Sequence, residues 1–406
     1  MPASHRRPPR FAVGCALAAL TAMLASPAWA DPAPSFPELL AQLNQTPASQ
    51  EAEALSQAAE ARVRQARVRP NPTLGLDASN VFGSGPYRGF DNAETTLSFS
   101  QDLELWGRRT ARINAARADA GTAALQRDLA VVNAAGRLAQ VYADAEAAQR
   151  RAALAQESLS LTIADARAAL LLVEQGREPL LRGIQGESEA AAARANLDEA
   201  VAERDAAFAR LTAVAMLSRP VTDIDASLLD RSPAAAFVAA VDATTVRVAQ
   251  AERAAAERRI DVERIRTRPD ITASVGVRRY EMEDATALTF GVSMPLPLFD
   301  RNRGNIEAAQ ADFRAADARL ASARQDAQAD RAAAQARLAG VGSAEEAYRL
   351  SRIGFEAGRI SQLELRATRT ALISARTTAV DARLGRVRAE IELARLDGRA
   401  PFQGAE

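Results

Sequence analysis

The stretch Ala287 to Gly304, A-L-T-F-G-V-S-M-P-L-P-L-F-D-R-N-R-G, constrains the fold more than any other. Leu288, Phe290, Val292, Met294, Leu296 and Leu298 alternate with Thr289, Gly291 and Ser293, the period of a strand with one apolar face. Pro295 and Pro297 have no amide hydrogen to donate, so pairing must fade there. Asp300 or Asn302 is then placed to cap the long Ala- and Arg-rich segment that follows. A strand is thus predicted to swerve directly into a helix. The same swerve is written earlier, from Thr96 to Ile113, as T-L-S-F-S-Q-D-L-E-L-W-G-R-R-T-A-R-I. Laid over the later copy, Leu105 falls on Leu298, Trp106 on Phe299, Gly107 on Asp300, Arg108 on Arg301 and Ile113 on Ile306.

The likeness extends both ways. Upstream, Pro72 to Val81 and Pro269 to Arg278 are alternating segments behind Arg-rich helices. Downstream, V-E-Q-G-R ending at Arg177 answers F-E-A-G-R ending at Arg359. A tandem duplication of helix, two strands, long helix, breaker and returning helix accounts for most of the chain. The predicted division is a signal segment over 1–30, a first repeat over 31–218, a linker over 219–244, a second repeat over 245–398 and a tail over 399–406. Residues 31 to 47 carry several prolines and read as an irregular lead-in.

The amino terminus has the form of a secretory signal: Arg6, Arg7 and Arg10, an apolar run from Phe11 to Ala25, and Ala28-Trp29-Ala30 as a small-x-small cleavage site. A retained anchor, or lipidation at Cys15, is the alternative. Cleavage after Ala30 removes the only His and the only Cys, and turns a balance of 51 basic and 51 acidic residues slightly negative. Imidazole and thiol chemistry, disulfides and a His/Cys metal site are thereby excluded, and no cofactor is expected. No nucleophile elbow, P-loop or dinucleotide fingerprint appears, so an enzyme is not expected, and the charge implies no nucleic-acid partner.

Arg108 to Val173 contains no proline, enough for one helix of ~100 Å. Leu125, Leu129, Val132 and Leu138 form a coiled-coil-like stripe along it. Gly176 and Pro179 break the first long hairpin and Gly358 the second. Four strands with Leu, Val or Phe on one face and Ser, Thr, Gly or Asp on the other have the pattern of a lipid-facing, water-lined barrel, or of a wet sheet packed on helices. Four strands cannot close a barrel, and open edges do not occur in hydrocarbon, so a barrel requires several chains. Trp106, the one Trp left after cleavage, sits where strand gives way to helix; it fits either a membrane–water boundary or a core corner, with Phe299 in the matching slot.

On L-E-L-W-G-R-R around Trp106, P-L-P-L-F-D-R-N-R-G-N-I ending at Ile306, the breaker F-E-A-G-R-I-S-Q-L-E-L and the doubled architecture, the chain resembles the TolC family of outer-membrane efflux proteins, most of all its heavy-metal (cobalt–zinc–cadmium) branch. The resemblance implies a mainly α fold with a small β part, trimerising into a 12-stranded barrel in outer-membrane lipid and a periplasmic helical tube. It implies a passive export conduit, docked onto a periplasmic adaptor and an inner-membrane proton-driven (RND-type) pump. It also places Glu364 near the periplasmic constriction; the family's second acid has no counterpart, Arg366 and Ala367 standing in that region. Copies of Glu364 close to a three-fold axis would repel one another, and Arg177, Arg182 or Arg359 on neighbouring hairpins are the expected neutralising partners. As an isolated residue Glu364 reads first as a solvated helix charge, and only the resemblance sets the two readings level. A soluble periplasmic coiled-coil adaptor would explain the hairpins but not the four alternating strands.

Overall fold

The computed structural model describes residues 32–232, 242–356 and 362–402, with the side chains of 44, 339–356 and 362–369 excepted. The signal segment, Gly358, Arg359, the side chain of Glu364 and residues 403–406 therefore lie outside what is described.

The elements run α1 (Phe36–Ala41), α2 (Pro47–Ala66), β1 (Thr73–Ser79), β2 (Glu94–Leu103), α3 (Arg108–Glu174), α4 (Leu180–Val214), α5 (Thr244–Arg266), β3 (Ile271–Tyr280), β4 (Ala285–Ser293), α6 (Arg303–Glu356) and α7 (Gln362–Leu396). The strands make one antiparallel sheet in the order β1-β2-β3-β4, with Leu97 opposite Leu76 and Val277, and Val277 opposite Leu288. Helices α2, α3, α5 and α6 pack neighbour to neighbour in the same order as the strands they join. Returning helix α4 lies along α3, and α7 lies along both α6 and α3. Helix α3 has 67 residues, ~100 Å of rod. Among the described residues no helix is long and apolar enough to cross a membrane.

The hairpin of α3 and α4 is closed by small residues. A Cβ on Gly186 would stand 3.1 Å from the Ala166 Cα, and one on Gly183 would stand 3.0 Å from Leu170 Cδ2. Any larger residue at Gly186 would have to push backbone, so glycine sets the spacing of the two helices there.

The main core lies where the lead-in and the inter-repeat segment cross the long helices. Phe36, Leu39, Leu138, Tyr142, Phe208 and Leu211 are buried together with Val221, Ile224, Leu228 and Leu229 from the inter-repeat segment, and with Leu384 and Val387 of α7. The described start of the expected linker, residues 219–232, is thus a packed strap. The lead-in is not irregular either: Ser35 and Glu38 form a capping box, and Phe36 packs edge-on to Tyr142 and Phe402 at centroid distances of 6.1 and 6.0 Å. Six residues give too little periodicity to read as a helix, and Pro37 in its first turn is compatible with one.

Candidate functional site

The sheet presents two unlike faces. Leu74, Leu76, Leu97, Phe99, Val275, Val277, Leu288, Phe290 and Val292 share one face and are all exposed, Phe290 at 79%. The opposite face carries Thr73, Gly75 and Asp77 of β1, then Glu94, Thr96, Ser98, Ser100 and Asp102 of β2. It continues with Thr272, Ser274, Gly276 and Arg278 of β3 and Thr289, Gly291 and Ser293 of β4. Nothing among the described residues covers the apolar face, and in water that area would be costly: apolar surface contributes roughly 25 cal/mol per Å² when removed from water. The outer edges of β1 and β4 pair with no strand among the described residues.

Below the sheet, both swerves use a residue with positive φ immediately before the long helix: Gly107 at 80° and Asn302 at 54°. Glycine tolerates that conformation freely and asparagine better than most residues. Trp106 also has φ of 62°, a costly conformation for a bulky side chain. Matching these residues puts Gly107 against Asn302 rather than Asp300, so α6 starts two residues later than the sequence superposition expects. Of the two expected caps, Asn302 stands in the cap position and its carbonyl accepts the Ile306 amide at 3.1 Å, while its side-chain oxygen accepts from the Asn305 side chain rather than from a backbone amide. Asp300 Oδ1 accepts the Asn302 amide at 2.8 Å, while the Asn302 amide group donates to the Glu263 carbonyl at 2.9 Å and to Glu263 Oε2 at 2.8 Å.

Arginines in the first turns of α3 close the ends of two neighbouring helices. Arg109 donates to the Arg67 carbonyl at 3.0 and 2.6 Å, and Arg112 donates to the carbonyls of Ala66 at 3.1 Å and Val68 at 3.0 Å while paired with Glu104. Arg108 pairs with Asp270 and reaches the Arg266 carbonyl at 3.4 Å. The last carbonyls of α2 and α5, which have no intrahelical donor, are thus satisfied by cations at the negative ends of their helix dipoles. Trp106 is half exposed with the Arg268 guanidinium 5.8 Å from its ring, and Phe299 is 98% exposed, so neither fills a core within the protomer. Pro295 and Pro297 lie beyond the end of β4 and are exposed.

Farther along the helices, α2, α3, α5 and α6 border a charged cavity of about 630 Å³. Within it Arg259 meets Asp119 at 2.7 Å, and Gln126 donates to Glu252 at 3.0 Å. At the strap, Glu146 of α3 is 3% exposed and fully engaged. It accepts from Ser227 Oγ at 2.7 Å, from the amides of Leu228 and Leu229 at 2.8 and 3.1 Å, and from Arg150 at 2.6 Å. Tyr142 donates its hydroxyl to the Ala226 carbonyl at 2.7 Å; burial, with Glu146 nearby, pushes its ionisation well above the usual phenol range. Asp230 joins Arg150 of α3 to Arg383 of α7 at 2.5 and 2.8 Å. The hydrogen bond from Arg150 holds the Asp230 carboxyl below the usual carboxylate range. From this node a ladder links α3 to α7: Asp144 with Arg388 at 2.8 Å, Arg151 with Asp381 at 2.6 Å, and Glu157 with Arg376 at 2.7 Å. The partners on α7 descend as those on α3 ascend, so the two helices run antiparallel and the ladder ties the first hairpin to the second.

Gly176, Arg177, Pro179 and Arg182 come together at the end of the first hairpin. Gly176 takes φ of 67°, the Arg177 amide donates back to the Leu172 carbonyl at 2.9 Å, and Pro179 is the residue before α4. Leu180, Leu181 and Ile184 are exposed beside them. Their expected companions Gly358, Arg359 and Glu364 lie outside the described side chains. The residues that sequence reasoning missed are Glu146, Asp230 and the Arg109–Arg112 clamp, because each acts on a segment distant in sequence. Among the described residues no group of three or more His, Cys, Asp or Glu is placed to hold a metal.

Over 322 residues the chain is 40% identical to the nickel and cobalt resistance protein CnrC of Cupriavidus metallidurans, covering 79% of this chain and 76% of CnrC. Over 316 residues it is 37% identical to the nickel-cobalt-cadmium resistance protein NccC of Alcaligenes xylosoxydans xylosoxydans, covering 77% and 72%. The fold superposes on the crystal structure of CusC with a TM-score of 0.71, covering 90% of this chain and 92% of that one at 18% identity. Residues 41–215 and 239–399, one block for each repeat, match the family described as outer membrane efflux protein. The chain belongs to the outer membrane efflux protein family, a family of outer-membrane channels rather than enzymes.

Proposed function

We propose that three copies of this chain form one barrel and one helical tube, a passive conduit that exports heavy-metal cations from the periplasm through the outer membrane. The observation that carries this reading is the four-stranded sheet with an exposed apolar face and two unpaired edges. In hydrocarbon each unpaired backbone group costs several kcal/mol, so β1 of one copy must meet β4 of the next until the ring closes. Two copies give eight strands, whose interior side chains fill, whereas three give twelve and begin to leave a lumen. The helices carry arginines and carboxylates throughout and stay in water, extending the ring as a tube. Relatives named for nickel, cobalt and cadmium resistance support the cargo class. Because a passive conduit supplies no energy, the work falls to an inner-membrane proton-driven pump, reached through a periplasmic adaptor that meets the hairpin tips.

Cross-linking of the detergent-solubilised protein tests the assembly. Products should stop at three chains, and a dimer as the largest species refutes the ring. Recovery from the periplasm without detergent would favour the soluble adaptor instead. We further propose that Glu364 lies near the closed end, neutralised there by Arg177, Arg182 or Arg359. Glu364→Ala should leave the trimer intact and change conductance or cation preference in planar bilayers; wild-type values for both would leave it a solvated charge.

A further inference from the structure

The polar face of the sheet carries a charge arrangement that a neutral conduit does not need. Pairing sets Asp77, Thr96 and Arg278 side by side across β1, β2 and β3. Arg278 Nε donates to Thr96 Oγ1 at 2.9 Å and Nη1 donates to Glu94 Oε2 at 3.2 Å, while Asn80 donates to the other Glu94 oxygen at 2.9 Å. The guanidinium is therefore pinned over β2, and Thr96 is buried in consequence. Among the strand residues of this face Arg278 is the one cation, against the carboxylates of Asp77, Glu94 and Asp102. It stands near the β3–β4 turn, the end farthest from the helices. Asp102, held by Thr272 at 2.6 Å, stands about 20 Å away at the helix end, six strand positions from Thr96 at ~3.4 Å each. The neighbouring Arg279 points to the other face and pairs with Glu281 and Asp284 of the turn.

We propose that Arg278 sets the charge of the pore mouth farthest from the helices and restrains the channel's preference for cations. This rests on the conduit reading, in which the polar face lines the lumen. Fixed charges along a water path between low-dielectric walls bias which ions enter. Each chain brings two net negative charges to this face with Arg278 present and three without it, and every copy around the ring repeats the change. Arg278 does not close the path: it is held flat against β2 by Glu94 and Thr96, and it opposes the attraction of the carboxylates for a passing cation.

Purified trimer in planar bilayers under a potassium chloride gradient tests the inference through the reversal potential. Arg278→Gln should raise the potassium-over-chloride permeability ratio about twofold or more. Glu94→Gln should lower it, and supplies the same test with Arg278 in place should the first variant fail to assemble. Arg278→Lys keeps the charge and should keep the wild-type ratio, as should Arg279→Gln. Wild-type ratios in both Arg278→Gln and Glu94→Gln would overturn the inference and leave the conduit standing. Wild-type protein that inserts and passes no current would instead refute the conduit reading itself.

Discussion

Truncating Glu146 to alanine should release the inter-repeat strap. Glu146 is almost fully buried, and its Oε2 accepts the amides of both Leu228 and Leu229, residues that are 1% and 0% exposed. Removing the carboxylate leaves both amides buried without an acceptor, at about 1–3 kcal/mol each. Arg150 loses less, because it keeps Asp230 and is partly in water. The sum, roughly 2–6 kcal/mol, brackets the ~3–5 kcal/mol typical of breaking a buried charge pair from one side. Since 1.4 kcal/mol is a factor of ten, opening of the strap should rise by at least about 30-fold. Limited proteolysis of the detergent-solubilised protein measures this directly, as the cleavage rate within residues 219–232 relative to cleavage elsewhere. Glu146→Gln keeps one acceptor oxygen and should fall between wild type and alanine. A cleavage rate in Glu146→Ala within a factor of three of wild type would show that water, not this carboxylate, satisfies the strap.

Two further outcomes follow from neighbouring geometry. On the sheet, Phe290→Arg should impair membrane insertion by about 2–4 kcal/mol if the residue sits at mid-membrane, while Thr289→Arg on the polar face should insert; equal loss of both from the outer-membrane fraction would refute the two-faced assignment. At the strap, the lowered Asp230 ionisation means its pairing stabilises above the ordinary carboxylate range and is lost as pH falls through the lowered value. Strap proteolysis should therefore accelerate in acid, by a factor corresponding to no more than about 1 kcal/mol because Asp230 is half exposed, and Asp230→Asn should flatten that acid dependence.

What could be read from the sequence is what local patterning controls. Alternation fixed the faces of Leu74, Phe99, Val275 and Phe290, the absence of proline gave α3 its length, and Gly176 with Pro179 marked the first turn. The positions that stayed hidden depend on partners far away in the chain. Glu146 looks like one more helix carboxylate until the strap, over 80 positions later, lays two amides against it. The strap itself, rich in Asp, Ser and Pro, has a linker's composition, and only its four apolar residues facing a common side show that it is packed. Arg109 and Arg112 are indistinguishable by type from dozens of solvated arginines, and what singles them out is the carbonyl end of α2 beside them.

The two repeats also show how duplication limits inference. The swerves share a left-handed residue and a leading aromatic, yet the helix ends beside them are secured differently. In the first, arginines of α3 reach carbonyls of α2 and α5; in the second, Asn302 takes over with an amide that donates to Glu263. Superposing sequences by their motifs therefore misplaced the second helix start, since backbone chirality demanded Gly107 and Asn302 in equivalent places while the motif aligned Gly107 with Asp300. Conformation, being set by which residues tolerate positive φ, survives in the repeat where side-chain identity does not. The same logic bears on the polar face of the sheet: Arg278 of β3 faces Thr96 of β2 across the boundary between repeats, a pairing that neither repeat contains alone. Charge on that face is consequently a property of the joined pair, and changes made in one repeat are felt by the other.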